Sequence, residues 1–394
     1  MTSRERIIAA MSHKNPDRVP VMCQLSLGHY FLNSKYKPSE IWFDSDTFAR
    51  AVTDLQKQYG FDGILINLPG RPEGWKKHIA QVEKDGDTEK LIWDNGLETF
   101  VPGDDNPHTF LPGKIPMERA SFETINPADP WSFMTPGYVW NSYHIPELWD
   151  FEQGADLTDP SQYPDSFLNT LRAVKKYSSD ISVHPEVFSP FTRLLELFGY
   201  QDALMGLIMY PDICKELLSY FTRVAVAEVE IYAKEGGIDA ILVSSAFAGA
   251  GFISREDYRL FVMPYEELIY KEIKKHNLFS YVHTCGSIGD RLDLMAEMSV
   301  DGIDTLDPPP LGTVHLNEAK EKFGERFFLK GNLDSVNELL NADDKTYEEA
   351  VISRLLTGKK GSGYILSTAC SVSPYVKPER LARLVDFAEK YGKF

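Results

Sequence analysis

Phe279-Ser280-Tyr281-Val282-His283-Thr284-Cys285-Gly286 is a short run of aromatic and β-branched residues that stops at a glycine, the pattern of a buried strand reaching its end. Alternate side chains of a strand share a face, so His283 and Cys285 project one way and Thr284 the other. An imidazole beside a thiolate is half of a zinc site. A second strand-like run, Tyr364-Ile365-Leu366-Ser367-Thr368-Ala369-Cys370, also ends in cysteine, 85 residues on (370 − 285). That gap is too long for a zinc finger and suits a site that a fold assembles.

Outward from these two runs the chain has a regular rhythm. A helix over 160–178 precedes a strand at 181–188, and a helical stretch over 191–235 precedes one at 238–245. Helix 254–277 leads to the His283/Cys285 strand, 287–299 to a strand at 302–307, 316–324 to one at 326–332, and 345–359 to the Cys370 strand; a last helix covers 378–391. Upstream lie a helix at 3–11 with a serine cap, the turn Asn15-Pro16-Asp17-Arg18, a strand at 19–25, a helix at 45–60 and a strand at 62–68. Eight strands alternating with helices predict a parallel sheet closed into a (β/α)8 TIM barrel. The competing doubly wound sheet needs a glycine-rich phosphate turn after an early strand, and the sequence has none.

One domain over 1–394 follows, with a long insertion at 70–157 between the second and third strands. Within it, Asn95-Gly96 between apolar segments predicts a hairpin over 91–101. Farther on, Trp131, Phe133, Tyr138, Trp140, Tyr143, Trp149 and Phe151 crowd together. They read either as packing or as an aromatic lid over an apolar ligand.

The 394 residues carry 58 acidic against 41 basic side chains, a formal charge of −17, which speaks against a nucleic acid partner. No apolar run approaches the roughly 20 residues that span a bilayer and no signal peptide pattern opens the chain, so a cytoplasmic protein without membrane contact is expected. Four cysteines, Cys23, Cys214, Cys285 and Cys370, are too few and scattered for a disulfide framework and read as thiols or metal ligands.

In a closed barrel the carboxyl ends of the strands share one rim, where active sites sit. Cys285 and Cys370 fall at the ends of the fifth and eighth strands with His283 one step deeper, so three donors meet and leave a tetrahedral zinc one free position. The competing reading is a core histidine with buried thiols. Gln24, Asn67, Glu186, Asp307 and Asn332 stand at or near strand ends, where they orient a substrate or supply a proton; loop and supporting hydrogen bonds are the alternative for each. Glu186, Asp307 and Asn332 are taken as the catalytic candidates. His29 and His184 approach the same rim and read as structural.

These residues resemble the uroporphyrinogen decarboxylase superfamily. The likeness rests on the Asn-Pro-Asp-Arg-x-Pro-Val segment (Asn15 to Val21), an Ile-Ser-x-Glu-x-Tyr helix start (Ile253 to Tyr258) and a Gly-Asn-x-Asp turn (Gly331 to Asp334). It covers the chain from Arg4 to the last helix, the insertion excepted. The decarboxylases carry an Arg-Gln-Ala-Gly-Arg-Tyr motif; at this place stands Gln24-Leu25-Ser26-Leu27-Gly28-His29-Tyr30, which keeps Gly28 and Tyr30 and loses both arginines. A porphyrinogen with eight carboxylates needs cationic partners, so their loss argues against that substrate.

The corrinoid-linked methyltransferase branch has a His-x-Cys plus distant Cys zinc site, which His283, Cys285 and Cys370 match. Ser371-Val372-Ser373-Pro374 and Ser244-Ser245 depart from residues common in relatives, and no acidic role is carried to the latter. The resemblance implies zinc, a corrinoid carried by a separate corrinoid-binding protein, and a small-molecule methyl donor or acceptor. A methyl ether, an aromatic one given the crowded rings, is the expected donor. The alternative is a decarboxylase-like lyase acting on a smaller carboxylic acid.

Overall fold

The computed structural model describes residues 1–116, 119–128, 151, 152 and 154–394. After β1 (Gly63–Ile66) the chain leaves for an antiparallel sheet of β2 (Ile79–Asp85), β3 (Thr88–Trp93), β4 (Glu98–Val101) and β5 (His108–Phe110). It returns through β6 (Ser182–Phe188), β7 (Ala240–Ser244), β8 (Phe279–His283), β9 (Gly302–Asp304), β10 (Phe328–Leu333) and β11 (Tyr364–Thr368). β1 and β6 to β11 form one parallel sheet in chain order, each crossover carrying the chain back over the outside. These strands are buried along nearly their whole length, as parallel strands covered on both faces must be.

Residues 19–25 close the ring. Val21 bridges Leu366 of β11 in parallel, Met22 N–H donates to Leu366 O at 3.0 Å, and Asp62 N–H donates to Val21 O at 2.8 Å just ahead of β1. Pro20 has no N–H to give, so this eighth member pairs through isolated bridges where a regular strand was expected. The architecture is a (β/α)8 barrel.

Three expectations about helices need correction. The span 160–178 holds two short 3-10 turns, Pro160–Gln162 and Asp165–Leu168, before the helix Asn169–Tyr177. The stretch 191–235 is three helices, Pro190–Phe198, Tyr200–Met209 and Pro211–Glu235, because Gly199 takes a positive φ of 82° and Pro211 starts a new first turn. Likewise 254–277 divides into Arg255–Phe261 and Met263–Lys275 at Pro264. The expected aromatic lid lies largely outside the described residues.

The barrel interior is packed. Met22, Leu65, Leu242, Tyr281, Phe328 and Ile365 meet inside it, and the helix Ser3–Met11 brings Ile7, Ala10 and Met11 against them from below. A charge network ties this end. Asp62, fully buried, accepts from Arg6 Nη1 at 2.6 Å, Arg18 Nη1 at 2.7 Å and Val21 N–H at 2.8 Å. Arg6 also donates to Asp17 at 2.6 Å, and Arg18 Nε to Glu389 of the last helix at 2.6 Å. The Asp17-Arg18 pair of the sequence motif thus clamps the first strand segment to the second strand and to the C-terminal helix. No helix among the described residues is long and apolar enough to cross a membrane.

Candidate metal centre at the barrel rim

The parallel register sets the site. Ser244, His283 and Asp304 are neighbours across β7, β8 and β9. Leu329 pairs with Ile303, which brings Lys330 of β10 beside Asp304. Strand alternation turns these side chains into the barrel above Tyr281 and Phe328. β8 ends at His283 and β11 at Thr368, so Cys285 and Cys370 lie two residues past their strands, where terminal strand residues were expected. One more bond follows each strand end, Ser245 N–H to His283 O and Ala369 N–H to Leu333 O, before the chains turn away.

Both cysteine turns are held. Gly286 has a φ of 76°, which an L side chain rarely adopts, and its N–H donates to Asp307 Oδ2 at 2.6 Å. On the other turn Val372 N–H donates to Gln24 O at 2.8 Å, and Val372 bridges Leu25.

His283, Cys285 and Cys370 bring one donor atom each to within 4.8 Å of one another. His283 Nε2 is 3.3 Å from Cys285 Sγ, and the two sulfurs are 3.7 Å apart. A tetrahedral zinc with Zn–S of about 2.3 Å and Zn–N of about 2.0–2.1 Å separates sulfurs by about 3.8 Å and nitrogen from sulfur by about 3.5 Å. These two edges fit that figure, whereas a disulfide would hold the sulfurs at about 2.05 Å.

The free donors share protons. Cys370 is pulled well below the usual thiol range by the hydrogen bond from Cys285, with His283 adding to it, while Cys285 is pushed up by that same bond and by burial. Burial alone would lower the His283 imidazole, but its hydrogen bonds to Asp304 and Cys370 outweigh burial and raise it to about 10. Asp304 is held at about 2: burial raises it, and the Lys330 charge and His283 overcome that. Metal binding at such a group displaces protons.

Each catalytic candidate has a definite place. Glu186, on β6, is raised to about 7 by burial, against the lowering effects of His283 and a hydrogen bond to Ser244. Its Oε2, like Gln24 Oε1 and Asn67 Oδ1, finds no hydrogen-bond partner among the described residues. Asp307 is raised to about 6 by burial, and its carboxylate supports the Cys285 turn. Asn332 donates to Leu306 O at 2.9 Å and Val314 O at 3.3 Å, and so braces the loop after β9.

His184 lies deeper, between Ser182 Oγ at 2.9 Å and Tyr281 Oη at 3.0 Å. His29 is fully buried against Tyr59 Oη at 2.8 Å and Ser373 O. Neither joins the three donors. Cys23 and Cys214 are buried thiols raised by desolvation to about 11 and about 12.

Glu186 also forms part of a cavity wall with Pro69, Tyr163, Phe167, Phe188 and Tyr232. Asp304 and Lys330 are the site residues that reasoning from sequence missed. A signal existed: each is a charged residue inside an otherwise apolar strand run, which demands a buried partner.

A (β/α)8 barrel with imidazole and two thiols converging on its C-terminal rim defines the class. The sequence model of uroporphyrinogen decarboxylase (URO-D) matches residues 142–391, and the chain belongs to that family. It is 27% identical over 229 residues to the methylcobamide:CoM methyltransferase MtbA of Methanosarcina mazei, covering 56% of this chain and 63% of that protein. The chain thus spans less than two thirds of the length of this relative. It is 29% identical over 258 residues to a uroporphyrinogen decarboxylase of Bacillus mycoides, covering 63% of this chain and 70% of that one. Among solved structures, a methyltransferase from Methanosarcina mazei superposes with a TM-score of 0.67 at 15% identity over 99% of both chains, a likeness of fold.

Proposed function

We propose that this chain is a zinc-dependent methyltransferase that moves a methyl group from a small methyl ether to the cobalt of a separate corrinoid protein. The observation that carries the proposal is the spacing of His283, Cys285 and Cys370, 3.3 and 3.7 Å along two edges, at the rim where barrel enzymes work. The likeness to a protein named methylcobamide:CoM methyltransferase supports the corrinoid part. His283 Nε2 and the two sulfurs would hold the metal and leave one position for substrate. When bound, zinc supplies Lewis acidity that stabilises charge developing on a departing oxygen.

The chain's own residues supply the rest. Glu186 holds a proton to about pH 7 beside the site, and it gives that proton to the oxygen the methyl group leaves. Gln24 and Asn67 offer oxygens that have no partner among the described residues for orienting a hydroxylated substrate. Asp307 and Asn332 act by fixing the two loops they bond. The aromatic residues crowded between Trp131 and Phe151 in the sequence are the reason for placing an aryl group on the ether.

The decarboxylase-like alternative is disfavoured. His29, in the stretch where the decarboxylases carry arginines, is spent on Tyr59 and Ser373, and Lys330 on Asp304. The test incubates the protein with methoxybenzene-type substrates and a reduced corrinoid protein and follows phenol release. Release that requires both proteins and is lost in Cys285→Ser supports the proposal. Release of carbon dioxide from carboxylic acids by a zinc-free protein would replace it with the lyase.

A further inference from the structure

We propose that Asp304 and Lys330 form a positioning pair that fixes the His283 ring for metal binding; this rests on the metal reading above. The pair comes from the ladder, since His283, Asp304 and Lys330 sit at one level on three consecutive parallel strands, β8, β9 and β10. Each carboxylate oxygen of Asp304 has one task. Oδ2 accepts from His283 Nδ1 at 3.1 Å, and Oδ1 accepts from Lys330 Nζ at 2.9 Å. Asp304 and Lys330 side chains are 2% and 3% exposed, so water does not compete for either bond.

An ionised carboxylate only accepts hydrogen bonds. His283 must therefore carry a hydrogen on Nδ1 whether the ring is charged or neutral, so Nε2, 3.3 Å from Cys285 Sγ, is the nitrogen that gives up its proton and turns its lone pair to a metal. Without the acceptor the ring is free to take either tautomer and either flip. Lys330 acts one bond farther out: it pins the carboxylate that pins the ring, and its Nζ lies 5.9 Å from the Tyr281 ring centre, against a side chain of the packed interior.

Charge gives a second reason for the lysine. The Lys330 ammonium cancels the Asp304 carboxylate, so two thiolates remain to be matched by one divalent cation, and the buried group is neutral when loaded. With Lys330 absent the loaded group would carry a net negative charge in a buried site, which is costly. The pair stands on strands and the cysteines stand on turns, so the histidine is the fixed reference against which the softer ligands adjust.

The test uses the full chain with Asp304→Asn/Lys330→Met, which removes both charges together so that neither is left buried and unpaired. Zinc affinity is read by competition with a chromophoric chelator, and coordination geometry by the visible spectrum after cobalt(II) substitution. Zinc binding about 10–100-fold weaker than wild type, with displaced cobalt bands, is the expected result. Lys330→Gln, which keeps a donor on Oδ1 without the charge, is measured alongside and gives an answer if the double variant does not fold; weaker zinc binding is expected there too.

Wild-type affinity and an unshifted cobalt spectrum in the folded variants would overturn the pairing while leaving the metal site intact. A wild-type protein that takes up no zinc and shows no thiolate-to-cobalt band would remove the metal reading, and the positioning role with it.

Discussion

The two ends of the barrel are built on opposite principles. At the amino-terminal end Asp62 is surrounded by Arg6, Arg18 and the Val21 N–H, Asp239 by Arg4 and Ser182, and Asp17 by Arg6. At the carboxyl-terminal end Glu186, Gln24 and Asn67 keep oxygens without partners among the described residues, the Cys285 and Cys370 sulfurs face each other, and Glu186 and Asp307 are pushed up by burial. Paired charges hold the first end together. Unmet polar groups at the second cost stability and remain available to a ligand.

Substitutions separate the two. Cys285→Ser, the change with the largest expected effect on function, should abolish methyl transfer while the metal-free protein melts close to wild type; a variant that keeps transferring methyl groups would show that the rim cysteine is ordinary. Asp62→Ala should do the reverse. It removes the buried carboxylate that Arg6 and Arg18 share, leaving them only the more exposed Asp17 and Glu389, and should cost about 3 kcal/mol in denaturant titration, with the zinc content of the folded fraction unchanged.

pH sharpens the contrast. In the metal-free protein Glu186 binds its proton more tightly folded than unfolded, about 7 against an ordinary 4.5. Its contribution to stability therefore declines as pH rises from about 4.5 to 7. Glu186→Gln should flatten that part of the melting-temperature profile; an unchanged slope would mean the carboxyl is solvated. Asp17 at the other end behaves oppositely. The Arg6 hydrogen bond holds its carboxyl below the usual range, so its contribution is present at neutral pH and fades as pH falls from the ordinary carboxylate value through that lowered one.

The smallest effect comes from Asp44, whose side chain caps the helix Ser45–Tyr59 by accepting from Thr47 N–H at 2.7 Å. Asp44→Ala should cost about 1 kcal/mol and leave zinc binding alone; a loss of metal would mean that the rim is coupled to its helices.

The barrel was legible because buried parallel strands and surface helices leave different periodicities: six of the seven regular strands of the parallel sheet fall inside a run marked by them, and β10 passes the end of its run by one residue, Leu333. Residues 19–25 were read as a strand equal to the others, but Pro20 and the charge network make the segment a closing strap. The helix breaks at Gly199 and Pro211 were missed because apolar spacing continues across both.

At the site, His283, Cys285 and Cys370 stood out because their residue types bind metals. Asp304 and Lys330 did not, since they are 21 and 47 residues from His283 and only strand register brings them to it. Nothing local in Asn332 reveals that its amide braces the carbonyls of Leu306 and Val314.

The central claim is that three rim side chains hold a zinc ion, and elemental analysis of the purified protein beside Cys370→Ser tests it most directly. About one zinc per wild-type chain, with little in the variant, is the predicted result. A folded wild-type protein that contains no zinc and takes none up from solution would contradict it.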